Sequence, residues 1–257
     1  MSFRTLTFQE KDGVGVIQVN SSPGDQEEVH LLADDLADLC NEIVWNDELK
    51  VIVLTGARED SFAIAPGQVE PPSKSGLDGE RGAGSLTASL ARLDYPLLAA
   101  VKGDATGPGL EMMLTCDLRI ATEASHFGFP EIETGLIPSG GGTQRLSRLV
   151  GRGKALEMIL TGEGIDAQDA HRIGLINRFV PSGDLLKVAM EMAREMAARG
   201  PLALRYTKEA VYKGMDMTLE QGLRLEADLY LLLHTTKDRT EGISAFREKR
   251  TPRFQGR

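Results

Sequence analysis

Two short, uninterrupted apolar runs set the tightest limit on what this chain can fold into. Val51-Ile52-Val53-Leu54 and Leu97-Leu98-Ala99-Ala100-Val101 offer no polar side to water. Strands of this kind must be covered on both faces, as in a parallel sheet between helix layers. Ahead of the first run, Val14-Gly15-Val16-Ile17-Gln18-Val19-Asn20 is β-branched and nearly alternating, which predicts a strand ending in the turn Ser21-Ser22-Pro23-Gly24. Between the two, Val29, Leu32, Leu36, Leu39 and Ile43 recur at steps of three and four, the spacing of an amphipathic helix over 27–46. Strand, helix and buried strand in that order predict a right-handed crossover onto a parallel sheet.

The rest of the chain continues the theme. Residues 56–84 are rich in glycine and proline with little periodicity, and a loop of that length in a compact domain is usually functional or mobile. A short helix is predicted over 86–93, then the buried strand ending at Val101, a glycine-rich turn at 103–109, a helix over 110–116 and a strand over 118–121. Beyond Gly135 helices dominate: 143–149, 155–160, 167–173, 184–198, 202–212, 219–234 and 240–249, with a brief extended piece at 176–180. The expected organisation is an α/β core over 1–200 and a C-terminal helical region over 201–257. At 257 residues such a core can be buried without staples.

Charge and motif content narrow the function. Lys and Arg number 29 against 38 Asp and Glu, a net charge of −9 that repels a phosphate backbone. The tail is the exception, with Lys237, Arg239, Arg247, Lys249, Arg250, Arg253 and Arg257 against Asp238, Glu241 and Glu248; it reads as a solvated helix face ahead of a phosphate-binding one. Cys40 and Cys116 are too far apart for a CxxC knuckle and too few for a disulfide framework. The first ten residues hold no apolar stretch of signal-peptide length, and no apolar run approaches the length of a membrane span, so the chain reads as cytoplasmic. The fingerprints GxGxxG, GxxxxGK[ST], HExxH and GxSxG are missing. His30, His126, His171 and His234 are scattered and read as ordinary histidines.

What remains is concentrated in one stretch. Gly107-Pro108-Gly109-Leu110-Glu111 follows a buried strand and opens a helix, so backbone N–H groups and the positive end of a helix dipole point outward there. Phe129-Pro130-Glu131-Ile132-Glu133 then precedes a second glycine-rich turn, Pro138-Ser139-Gly140-Gly141-Gly142-Thr143. Glu111 and Glu131 lie beside apolar neighbours, which would raise a carboxyl pKa toward the range useful for proton transfer. In a chain with 38 acidic residues, two glutamates taken alone read first as surface charges.

The string Leu98-Ala99-Ala100-Val101-Lys102-Gly103, Gly107-Pro108-Gly109-Leu110-Glu111 and Cys116-Asp117-Leu118-Arg119-Ile120-Ala121 resembles the crotonase superfamily of enoyl-CoA hydratases and isomerases. The likeness runs on through Phe127-Gly128-Phe129-Pro130-Glu131, Gly135-Leu136-Ile137-Pro138, Gly140-Gly141-Gly142-Thr143-Gln144-Arg145-Leu146, Leu160-Thr161-Gly162, Gly174-Leu175-Ile176 and the closing Glu241-Gly242-Ile243-Ser244-Ala245-Phe246-Arg247-Glu248-Lys249-Arg250. It covers nearly the whole chain in order. The resemblance implies an α/β fold with a core of repeated ββα units and a C-terminal helical trimerisation region, assembled as a homotrimer or hexamer. It implies an acyl-CoA thioester substrate, CoA belonging to the substrate, with no other cofactor, no metal, no nucleic acid and no membrane. By motif position it makes Glu111 and Glu131 the pair that handles water and proton, Gly67 and Gly109 the oxyanion donors, and Ala65, Pro66, Pro130 and Gly135 substrate-binding residues. Keeping both glutamates favours hydration of an α,β-unsaturated acyl-CoA to a 3-hydroxyacyl-CoA.

Three positions depart from the family pattern. The segment Ser21-Ser22-Pro23-Gly24-Asp25-Gln26-Glu27-Glu28 replaces the usual basic one. Phe62-Ala63-Ile64-Ala65-Pro66-Gly67-Gln68 stands where an Ala-Gly-Ala-Asp loop is usual. Pro108 occupies the middle of the glycine turn, the usual source of the second oxyanion N–H, and proline has no N–H to give. Rival readings are an isomerase, hydrolase or decarboxylase on a bulkier or cyclic acyl-CoA and, of another class, a catalytically weak scaffold or RNA-binding homologue.

Overall fold

The computed structural model describes residues 3–20, 26–63 and 83–257. Strand β1 (Leu6–Lys11) and strand β2 (Val14–Val19) form an antiparallel hairpin across Asp12-Gly13, both at positive φ (54° and 77°). That Asp-Gly turn twists with the strands it joins and is a strong hairpin signal. Strand β1 is a largely exposed edge strand of mixed polarity, LTFQEK, and lies outside the strands expected from periodicity.

Helix α1 (Gln26–Ile43) leads to β3 (Val51–Gly56), which pairs parallel with β2; then α2 (Ala83–Ala91) leads to β4 (Leu97–Val101), parallel with β3. Strand β5 (Ala105–Thr106), helix α3 (Pro108–Thr115), strand β6 (Leu118–Thr122) and strand β7 (His126–Gly128) follow. After a 3₁₀ turn over Pro130–Thr134 come α4 (Gly142–Val150), α5 (Arg152–Thr161), β8 (Ile165–Asp166), α6 (Ala167–Arg172) and β9 (Arg178–Val180). Four longer helices complete the described chain: α7 (Leu185–Ala197), α8 (Pro201–Met215), α9 (Leu219–His234) and α10 (Lys237–Glu248). The main sheet has the order β1-β2-β3-β4-β6-β9, and β5-β7-β8 form a second, smaller sheet.

Every residue of β3 and β4 is buried, as their composition demands. Because successive side chains point to opposite faces, each run feeds two cores. Ile52, Leu54, Leu97 and Ala99 pack with Leu32 and Leu36 of α1 and Leu110 and Met113 of α3. Val51, Val53, Leu98 and Ala100 pack instead with Leu185, Ala189 and Ala193 of α7. Helix α7 returns across the sheet with small residues at the points of closest approach, and the two-layer cover is complete.

The C-terminal helices are tied back by polar contacts. Lys208 Nζ on α8 reaches Asp117 Oδ2 at 3.0 Å and the Tyr95 carbonyl at 2.8 Å, while the Leu97 N–H donates to the same Asp117 oxygen at 2.7 Å. All seven basic residues of the tail are exposed, as a solvated face requires, and some of them also pair with neighbouring acids. Arg250 grips Glu241 through two N–H groups at 2.6 and 2.9 Å and also reaches Glu248 at 2.6 Å. These bonds hold the Glu241 carboxyl down to about 2. Asp238 accepts the Gln255 and Gly256 N–H groups at 2.6 and 2.8 Å, so the end of the chain folds back on α10. Among the described residues no helix is long and apolar enough to cross a membrane.

Candidate active site

The small sheet builds the site. Strands β5 and β7 run parallel, Ala105 opposite Phe127 and Thr106 opposite Gly128, and the Gly107 N–H extends the ladder to the Gly128 carbonyl at 3.0 Å. The two strands therefore end side by side. The chain leaving β5 turns into α3, and the chain leaving β7 enters the 3₁₀ turn at Pro130. Glu111 lies in the first turn of α3 and Glu131 is the second residue of the 3₁₀ turn. One short parallel ladder thus brings both candidate carboxylates together.

Helix α3 is buried along its whole length, so Glu111 enters the interior with it; its relative exposure is 1%. Oε1 accepts the Gly140 N–H at 2.6 Å and the Gly142 N–H at 2.8 Å. Oε2 is buried and has no hydrogen-bond partner among the described residues. Burial pushes the Glu111 carboxyl up to about 7. The two N–H groups hold the ionised form and work against that rise, the Glu131 charge adds to it, and the Arg145 guanidinium opposes it. Glu131 is half-buried, its Oε2 is likewise without a partner, and burial raises its carboxyl above the usual range. Two carboxyl groups within each other's field, each with one oxygen unclaimed by the described residues, can hold a water and pass protons.

The glycine turn between them is shaped for the two N–H bonds. Gly141 sits at φ 101°, where an L side chain is strained, and a Cβ there would run into the Arg145 guanidinium. A Cβ on Gly142 would stand 2.6 Å from the Phe129 ring and 2.9 Å from Pro138. The Gly140 carbonyl accepts Thr87 Oγ1 from α2 and Arg145 Nη1 from α4, each at 2.8 Å. Sequence reasoning singled out this turn as a motif but gave no role to Thr87, and no local pattern marks a hydroxyl in the middle of an otherwise ordinary helix.

Pro108 opens α3 behind Gly107 (φ 51°, ψ −125°). Proline suits this first position, since its missing N–H is one the helix could not have paired. The Gly107 N–H is taken by Gly128, and the Glu111 N–H bonds the Gly107 carbonyl at 3.0 Å. The N–H groups left to the turn are those of Gly109 and Leu110, which the first turn of a helix leaves without an intrahelical acceptor. Pro130 begins the 3₁₀ turn, and Gly135, exposed and left-handed at φ 77°, ends it with its N–H on the Ile132 carbonyl at 3.0 Å. Ala65, Pro66 and Gly67 lie outside the described residues, as does most of the segment over 21–28 that departs from the family pattern. Next to the first of these stretches, Ala63 is buried at φ 62°.

Both thiols are out of play at neutral pH. Cys40 and Cys116 are buried in apolar surroundings that push each up to about 12. Among the described residues no group of three or more His, Cys, Asp or Glu side chains is placed to hold a metal ion.

Comparison with known proteins places this geometry in context. The chain matches the family described as Enoyl-CoA hydratase/isomerase over residues 10–257. It is 47% identical to the 2,3-dehydroadipyl-CoA hydratase of Escherichia coli over 172 residues, 67% of this chain and 68% of that protein. It is 35% identical to the short-chain-enoyl-CoA hydratase of Clostridium acetobutylicum over 256 residues, 97% of each. Among solved structures, the enoyl-CoA hydratase of Bacillus anthracis superposes with a TM-score of 0.87 at 34% identity, covering 99% of this chain and all of that one. The enoyl-CoA hydratase of Geobacillus kaustophilus gives 0.89 at 31% identity over the whole chain.

Proposed function

We propose, for a chain that belongs to the enoyl-CoA hydratase/isomerase family and has the crotonase fold, that the reaction is addition of water to an α,β-unsaturated acyl-CoA. The observation that carries this reading is the pair of carboxyl groups. Addition across the double bond needs one group to take a proton from water and one to deliver a proton to the carbon beside the thioester carbonyl. Glu111 and Glu131 are both raised toward neutrality, and each keeps an oxygen free of partners among the described residues. With Glu111 Oε1 fixed by two N–H groups, the free Oε2 can accept from a water without the carboxyl swinging away. The relatives named as enoyl-CoA hydratases support the same reaction class. The test is direct: purified protein with crotonyl-CoA, followed by loss of enone absorbance. No loss with short linear or cyclic enoyl-CoAs would end the proposal.

Negative charge builds on the thioester oxygen as the water oxygen bonds to the β carbon and the double-bond electrons shift, and falls again when the α carbon is protonated; N–H donors aimed at that oxygen supply much of the rate. In this chain we assign one donor to the start of α3, at Gly109 beside Leu110, since Gly107 is spent and Pro108 has none. On that assignment, Pro108→Gly leaves kcat on crotonyl-CoA within a few-fold and lowers stability by roughly 1 kcal/mol through the more flexible unfolded chain. A rise in kcat of about 10²-fold would instead mean that the natural turn lacks a donor.

We further infer a homotrimer or a pair of trimers. Leu219, Leu231 and Phe246 are 79%, 63% and 85% exposed on α9 and α10, large apolar side chains on one helical region. On the same helices Leu229 is buried within the protomer and Ile243 half-buried. Apolar surface of this density marks an interface. Multi-angle light scattering should give three or six times the 27.9 kDa chain mass. A monomer at micromolar concentration rules the assembly out.

A further inference from the structure

The peptide between Gly140 and Gly141 sits in the middle of the motif that holds Glu111. The peptides on either side of it supply the two N–H donors, Gly140 and Gly142, that converge on Oε1 at 2.6 and 2.8 Å. Its own carbonyl is gripped by two side chains from different helices. Thr87 Oγ1 on α2 donates at 2.8 Å in a buried setting, and Arg145 Nη1 on α4 donates at 2.8 Å. Two N–H groups turned to one anion, with the intervening carbonyl turned away, form an anion-binding concavity. Such a concavity is specific only if the central peptide cannot rotate. The Gly141 carbonyl is held by the Gln144 and Arg145 N–H groups at 3.1 and 2.9 Å, while the Gly140 carbonyl, between two glycines that leave its peptide easy to turn, is held by the two side-chain donors.

We propose that Thr87 and Arg145 are positioning residues for the hydration reaction, locking the Gly140–Gly141 peptide so that its neighbours hold Glu111 Oε1 and leave Oε2 for water. The proposal rests on the hydration reading given above and adds to it two residues that touch neither substrate nor water. It has an electrostatic consequence with a fixed sign. Hydrogen bonds from the Gly140 and Gly142 N–H groups favour the ionised carboxyl and lower its pKa. Loosening the peptide weakens them, so the Glu111 titration moves to higher pH. The other charges that act on Glu111 are Glu131 from the 3₁₀ turn and Arg145 itself. Helix α2, sequence AGSLTASLA, and strand β5, sequence AT, pack against α3 and carry no titratable group, while α4, which also packs there, carries Arg145 and the exposed Arg148 that pairs with Asp216. Thr87→Val is therefore the first probe, since it nearly keeps shape and removes the donor to the Gly140 carbonyl without changing any charge.

Steady-state hydration of crotonyl-CoA is measured from pH 5 to 9 for the native protein, Thr87→Val, Thr87→Ser and Arg145→Lys. Thr87→Val is expected to lower kcat about tenfold, the value of one well-placed hydrogen bond, with KM changed less than about twofold. The inflection belonging to Glu111 moves upward in pH, Thr87→Ser restores both, and Arg145→Lys, which keeps the charge but not the fork, shows a smaller shift in the same direction. An unchanged inflection in Thr87→Val overturns the proposal, even if kcat or thermal stability falls, since a purely structural threonine would give that result. Loss of activity that serine does not rescue overturns it as well. If the native protein does not hydrate crotonyl-CoA, the parent reading fails separately. The Glu111 titration is then read by infrared difference spectroscopy, with Glu111→Gln identifying the carboxyl band, and the same upward move in Thr87→Val is required.

Discussion

Glu111→Gln and Glu131→Gln should each lower kcat for crotonyl-CoA hydration by about 10²-fold or more, with KM little changed. Glutamine keeps the shape and the acceptor oxygen, so the Gly140 and Gly142 N–H groups still have a partner in the Glu111 variant. What is lost is the proton-carrying capacity and charge of the group, and the second oxygen that accepts from water becomes an NH2 donor. The two effects should not multiply in the double variant, because both carboxyls serve one proton transfer sequence and removing either stalls it. Near-full activity of Glu111→Gln with a dead Glu131→Gln would leave one working carboxyl and move the protein to the isomerase reading.

The same Glu111→Gln change should make the protein more stable above neutral pH. Burial raises the Glu111 carboxyl from its unfolded value of 4.5 to about 7, so the folded chain holds a proton that the unfolded chain gives up. A carboxyl raised in the fold contributes its full stability below about pH 4.5 and loses it as pH rises through about 7. The difference corresponds to roughly 3 kcal/mol, one pKa step being about 1.4 kcal/mol. Denaturant melts at fixed protomer concentration should show the native protein weakening between pH 5 and 8, and the glutamine variant keeping most of that stability. Equal pH dependence in the two proteins would mean that Glu111 titrates normally. Site residues that cost stability and carry the chemistry are the usual trade at a catalytic centre.

How much of this could be read from the chain alone varies with the range of the contact involved. The buried strands over 51–54 and 97–101 and the amphipathic helix from Val29 to Ile43 were legible because burial on both faces, or on one stripe, is written into local periodicity. Helix ends were less legible: α3 begins at Pro108 rather than Leu110, since a proline in the first turn belongs to the helix it opens, and α1 stops at Ile43 rather than 46. The hairpin at Asp12-Gly13 was legible in its turn residues, but its first strand is a largely exposed edge of mixed polarity that periodicity does not mark. Glu111 and Glu131 stood out only by resemblance to a family, because local pattern cannot tell a buried carboxylate from a surface one.

By itself, then, the sequence determined an α/β chain with a two-sided parallel sheet, a helical C-terminal part, and two glutamates each lying near a glycine-rich turn. The tertiary structure alone decided what those glutamates are. Glu111 is raised to about 7 because α3 is sunk in the core, its oxygens are made unequal by two N–H groups from a turn 29 and 31 residues away, and that turn is held by Thr87, 53 residues from Gly140. Desolvation, field and peptide orientation belong to groups brought together from distant parts of the chain, and residue order encodes them only through the fold.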